Sequence, residues 1–216
     1  MSTDVTTTVH EFFTKYPKRD YAKGQIIVFA DESPEHIFYI AKGRVRKYDV
    51  SYRGDEVIVN VFKPPAFFPM SWAINRTPNK YFYKTEEAAE LYVVPVDDAL
   101  RFLRENPDVM YDLLSRLYKG MDGLLGRVVH LMSGTAKSRL IYELIIECRR
   151  FGKKQANGSH VIQTTEVDIA ARSGLSRETV SREVHKLHNQ NLLVVEHGRI
   201  IISDLAALEN LHGTGL

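Results

Sequence analysis

A chain of 216 residues is long enough for one large domain or two small ones. With 44% hydrophobic and 26% charged residues and a mean hydropathy of -0.24, it is neither apolar enough for a membrane protein nor polar enough for a disordered one. The net charge of only +2 means that any nucleic-acid binding must come from a local cluster, and the single Cys148 excludes an internal disulfide and argues against a four-cysteine iron–sulfur cluster.

No apolar run reaches about 18 residues, so no membrane helix is expected. The start, "MSTDVTTTVHEFF", lacks the basic and apolar regions of a secretory signal. Both facts, with the lone cysteine, lead us to expect a cytoplasmic protein. From Tyr21 to about Val96 the chain reads as short strands: "QIIVFA", "HIFYIAKGRVRKYDV", "EVIVNVF" and "LYVVPV". Gly, Pro, Asp and Asn punctuate them, which predicts an antiparallel roll or sandwich. Turns are expected at "AKGR" (41–44) and "YRGD" (52–55). "VDDALRFLRENP" then predicts a short helix closed by Pro107, and residues 108–133 a long one. Its apolar band includes Leu117, Met121, Leu124 and Val128. A twin helix from a second copy would cover such a band in a symmetric dimer, as would packing on the chain's own β-domain.

"MSGTAKSRL" at 132–140 has the composition of a hinge. It divides a β-rich domain (1–107) and the long helix (108–133) from a C-terminal domain (134–216). That domain starts with the helix "KSRLIYELIIECRRFG", followed by a polar loop and a short strand "VIQT". Even there the charge is nearly balanced, with 11 Lys and Arg against 9 Asp and Glu from Lys137 onward.

Taking Glu166 as the first position of a twenty-residue window puts Ala170 fifth, Gly174 ninth and Val180 fifteenth. A helix-turn-helix constrains these positions: a small residue where the helices cross, a glycine in the turn and a β-branched anchor in the second helix. "NLLVVEHGRIIIS" follows, two apolar runs around Glu196-His197-Gly198, and predicts the β-hairpin of a winged helix. The second helix begins after Leu175 with Ser176 in an N-cap position. Arg177, Glu178, Ser181 and Arg182 then share an arc of roughly 140° at about 100° per residue. Arginine can fork onto guanine, glutamate can accept from the cytosine amino group, and serine can bond either. An i,i+4 ion pair between Glu178 and Arg182 is the plainer use of that pair. Candidate contacts to the DNA backbone are Thr164, Thr165, Ser176, Thr179, Lys186 and Arg199.

"TTEVDIAARSGLSRETVSREVHKLHNQNLLVVEHGRIIISD" resembles the DNA-binding domain of the cyclic-AMP receptor protein and FNR (Crp/Fnr) family of bacterial transcription regulators. "YAKGQIIVFADESPEHIFYIAKGRVRKYDVSYRGDE" is similar to that family's β-roll sensor domain. The resemblance implies an α+β protein: an antiparallel β-roll, a long dimerisation helix and a winged helix-turn-helix. It further implies a homodimer on double-stranded DNA and contact with RNA polymerase. Arg177, Glu178 and Arg182 match the family's base-reading positions, and Ser181 a position used by the FNR branch. Such a set implies a near-palindromic site with a G·A step, such as TGTGA or TTGAT.

The sensor domain departs from the pattern. Members that bind cyclic nucleotides carry a Gly-Glu pair and an Arg-Ser or Arg-Thr pair where this chain has Pro69-Met70 and Asn79-Lys80. Proline has no N–H for a phosphate and methionine cannot accept from a ribose hydroxyl, which argues against cyclic AMP. Phe67, Phe68, Trp72, Tyr81 and Tyr83 stand nearby and could line an apolar effector pocket or fill the space. The effector is left unassigned, and no cofactor, metal site or catalytic residue is expected. The expected function is a sequence-specific transcription regulator. The alternative is a small-molecule sensor whose winged helix is mainly a protein-interaction module. No nucleophile–base spacing or phosphate loop suggests an enzyme.

Overall fold

A computed structural model describes residues 3–212 of the chain. It comprises two compact units that divide inside one helix, between Gly120 and Met121.

The first unit begins with α1 (Thr3–Phe13), β1 (Lys18–Tyr21), β2 (Ile26–Val28), β3 (His36–Lys42), β4 (Val45–Val50), β5 (Glu56–Phe62) and β6 (Phe67–Phe68). α2 (Met70–Asn75), β7 (Phe82–Thr85), β8 (Ala89–Pro95) and α3 (Val96–Glu105) follow. The strands form two antiparallel sheets, ordered β1-β8-β3-β6 and β2-β7-β4-β5. The first sheet is covered on both faces, so its inner strands do not alternate apolar with polar. Ile37 and Tyr39 of β3 join Val94 of β8 in a core with Val9, Phe13, Ala99, Phe102 and Leu103 from α1 and α3. Phe38 and Ile40, the residues between, join Leu91 and Val93 in a second core with Val28, Val45 and Tyr83 from the other sheet. The "AKGR" and "YRGD" turns are present, with Gly43 and Gly54 at φ of +90° and +86°.

α4 (Pro107–Ser133) begins at the proline that closes off α3, a position where its missing N–H costs nothing. Val109, Met110 and Leu113 join the first unit's helical core. Further along, Leu117, Met121, Leu124 and Val128 are 58%, 44%, 42% and 46% exposed, so within this chain the band is only half covered.

The second unit centres on α5 (Ala136–Phe151), whose residues Leu140 to Ile145, Glu147 and Cys148 are buried. Around it lie β9 (Lys153–Lys154), β10 (His160–Ile162), α6 (Glu166–Ser173), α7 (Arg177–Asn189), β11 (Leu193–Glu196), β12 (Arg199–Ile202) and α8 (Leu205–His212). The strands form an antiparallel sheet ordered β11-β12-β10-β9. One core joins Leu140, Leu144 and Ile145 to Ile169, Val180, Val184, Leu187, Ile200 and Leu208. Among the described residues no helix is long and apolar enough to cross a membrane.

Sequence reading does not find α1, α2, α8 or the short strands β1, β6, β7 and β9. α1, "TDVTTTVHEFF", is rich in β-branched residues of modest helix propensity. Its helix is held from outside, by Phe13 stacked on Tyr39 at 4.8 Å and Phe12 stacked on Phe102 at 3.9 Å.

Phe68 is 1% exposed, so Phe68→Ala should cost about 3–5 kcal/mol in urea unfolding. Burial, with Glu209 nearby, pushes the Cys148 thiol up from 9.0 to about 11. The thiol stays protonated in the folded chain while it ionises in the unfolded one. Its contribution should be complete below pH about 9 and lost as pH rises toward 11, and Cys148→Ala should flatten that part of the pH–stability curve.

Candidate nucleic-acid interface

The interface is assembled by two caps and a turn. Thr165 caps α6 in a reciprocal box: its Oγ1 accepts from Asp168 N at 3.2 Å, while Asp168 Oδ2 accepts from Thr165 N at 3.2 Å. α6 ends at Gly174, whose φ of 62° is the left-handed value a helix-turn-helix turn needs. Ser176 caps α7, its Oγ accepting from Thr179 N at 3.2 Å.

α7 presents two faces. Val180, Val184 and Leu187 are buried in the core, while Arg177, Glu178, Ser181 and Arg182 are exposed, so the structure brings the four candidate base-readers onto one outer surface. Hydrogen bonds from its own backbone N–H and from the Ser176 hydroxyl, with Arg177 and Arg182 nearby, hold the Glu178 carboxyl below its ordinary pKa. It stays an acceptor. Arg182 donates from Nη2 to Thr179 Oγ1 at 3.3 Å, a short tether along the helix. His185, exposed one turn beyond Ser181 and Arg182, extends the same surface. The i+3 and i+4 spacing was the signal for it, and sequence reading passed over it.

The candidate backbone contacts fare differently. Thr164 is buried at 3% exposure and its Oγ1 accepts from Arg172 Nη1 at 3.5 Å, so its side chain faces the core rather than the surface where it was expected. Thr165 is exposed, but its hydroxyl donates to Asp168 Oδ2 at 2.8 Å. Lys186 pairs with Glu183 at 2.6 Å, and Arg199 Nε donates to Glu196 Oε2 at 2.6 Å. Each of these cations must exchange a carboxylate for a phosphate to touch DNA. The hairpin β11–β12 is the expected wing, with Glu196 opposite Arg199 at its tip.

In the first unit the five aromatics do not gather around one space. Adjacent strand residues point to opposite faces, so Phe67 and Trp72 belong to the core of α1 and α3, whereas Phe68, Tyr81 and Tyr83 belong to the core between the sheets. Phe68 and Tyr83 stack at 4.9 Å with rings 6° apart. Asn79 is buried, and its amide donates to the carbonyls of Phe29 at 2.9 Å and Tyr81 at 2.7 Å. Pro69 is the residue ahead of α2 and brings no N–H.

The description of a cyclic nucleotide-binding domain matches residues 18–106, and that of a Crp-like helix-turn-helix domain matches residues 138–211. Between them they take in most of the chain, in the order expected from its two units. The chain belongs to the Crp/Fnr family of transcription regulators. Among Crp/Fnr relatives, the global nitrogen regulator of Synechococcus elongatus is 25% identical over 194 residues, covering 87% of this chain and 86% of its own. The transcriptional regulator ArcR of Staphylococcus aureus is 24% identical over 196 residues, covering 86% and 79%. A crystal structure of a CRP/FNR-family regulator from Thermus thermophilus shares the fold at a TM-score of 0.75, with 20% identity and 92% and 99% coverage. The relatives are regulators rather than enzymes, and the chain is a Crp-like transcription regulator with a helix-turn-helix.

Removing the α7 cap by Ser176→Ala should cost about 1 kcal/mol of stability, read by chemical denaturation, because Thr179 N loses its acceptor at the helix end.

Proposed function

We propose that this regulator acts in the cytoplasm as a homodimer that reads a near-palindromic DNA site through α7 of each copy, and that cyclic AMP is not its effector. One observation carries the reading: Arg177, Glu178, Ser181 and Arg182 stand exposed together on the outer side of a helix whose other side is locked into the core. Forked arginines and an ionised glutamate are the groups that distinguish base edges in the major groove. Ser176, Thr179, Lys186 and Arg199 border this surface and are suited to the sugar-phosphate backbone.

A second copy is the natural cover for the exposed α4 face of Leu117, Met121, Leu124 and Val128, because a symmetric pairing buries one stripe twice. Contact with RNA polymerase accords with the family. Against cyclic AMP stand three features of the first unit. Pro69 has no N–H for a phosphate, the Asn79 amide is spent on two carbonyls, and the Phe68–Tyr83 stack occupies the space between the sheets. These residues do not fit a cyclic phosphate.

Selection from randomised duplexes should enrich a symmetric motif. Arg182→Ala should cost about 1–3 kcal/mol at one base pair of each half-site. Lys186→Ala should instead weaken all sequences alike and reduce the slope of log K against log salt by about one. Cyclic AMP should leave the gel-shift midpoint where it is. An Arg182→Ala protein with unaltered affinity and unaltered preference would end this reading.

A further inference from the structure

Between Met121 and Ser133, α4 carries two different faces. At about 100° per residue, Met121, Leu124, Leu125 and Val128 fall on one side and Gly123, Gly126, Arg127 and His130 on the opposite side. The first side is the exposed apolar face. The second is shaped to hold α5. The Tyr142 hydroxyl donates to the Gly123 carbonyl at 2.9 Å, and a Cβ on Gly126 would collide with that hydroxyl. The His130 ring lies 4.5 Å from the Tyr142 ring. Beside them Arg127 makes a two-pronged bond to Glu143, Nε to Oε1 at 2.5 Å and Nη2 to Oε2 at 2.9 Å.

A second pair continues the line. One turn further along α5, Glu147 meets Arg172 Nη1 at 2.7 Å, with both side chains about 5% exposed or less. Arg172 belongs to α6, the first helix of the helix-turn-helix, which packs with α7 in the same core. Two buried ion pairs in series thus run from α4 through α5 to the reading head, while the chain joining α4 to α5 is only Gly134 and Thr135.

A buried ion pair contributes little net stability over an apolar pair of similar volume, because desolvation offsets the attraction. What the fork adds is direction: an apolar contact tolerates sliding, whereas a bidentate guanidinium–carboxylate pair has one geometry. We propose that Arg127–Glu143 and Glu147–Arg172 are positioning pairs that set the angle between α4 and the recognition helix, and through it the half-site spacing the dimer accepts. This rests on the dimeric DNA-reading function proposed above.

The test compares wild type with Arg127→Met/Glu143→Leu and with Arg127→Lys, which keeps the charge but loses the fork. Melting temperature is measured first, then affinity for a single half-site and for two half-sites at the preferred spacing and at one base pair more or less. The double variant should melt near wild type and bind one half-site within about twofold, yet lose about tenfold on the preferred spacing and accept the neighbouring spacings equally. Arg127→Lys should relax the spacing preference in the same direction. A merely structural role would lower melting temperature and all DNA affinities together. If either variant folds and keeps the wild-type spacing preference, the inference is overturned. If wild type itself gains nothing from a second half-site, the dimeric reading fails and takes this inference with it.

Discussion

A helix buried on nearly every side cannot carry two carboxylates unless each meets a cation, and that requirement organises the second unit. α5 supplies the centre of its core through Leu140, Leu144 and Ile145, yet it also buries Glu143 and Glu147. Each glutamate draws an arginine from a different neighbour, Arg127 from α4 and Arg172 from α6. Leaving a buried charge without its partner costs several times what an exposed pair contributes, so the three helices are tied to one arrangement. α7 then completes that core with Val180, Val184 and Leu187, which leaves its polar side outward. The surface that faces DNA is the consequence of what the opposite surface must bury.

The first unit obeys a different constraint. Its sheet β1-β8-β3-β6 has a core on each face, so consecutive residues of one strand serve different cores. Phe67 and Phe68 show it most simply. One packs among helices with Phe13, the other stacks on Tyr83 between the sheets. Aromatic residues used this way are structural filling, and burial pushes the Tyr83 hydroxyl upward in pKa accordingly. A regulator family whose sensor is named for cyclic nucleotides can keep the roll while the inside of that roll becomes core.

Much of the second unit is legible in the sequence because its signals are local. Gly174 at the turn, Ser176 as cap and the spacing of Val180, Val184 and Leu187 each depend on residues within a few positions of one another, and each stands where the spacing predicts. The long helix is legible for the same reason, its apolar recurrence running on past Pro107. α1 and β6 are not, since a β-branched helix and a two-residue strand owe their conformation to partners tens of residues away.

By itself, then, the sequence determined the order of elements, the family and the set of side chains that share the outer arc of α7. Periodicity and turn chemistry decide those, and both are read along the chain. Only the tertiary structure decided which polar groups face inward. Thr164 lies beside a helix start and reads as a phosphate contact until Arg172, eight residues on, is seen to turn it into the core. Glu143 and Glu147 read as interruptions in an apolar helix until Arg127 and Arg172 reach them from other elements. Burial and charge pairing are properties of neighbours in space, and one-dimensional spacing does not contain them.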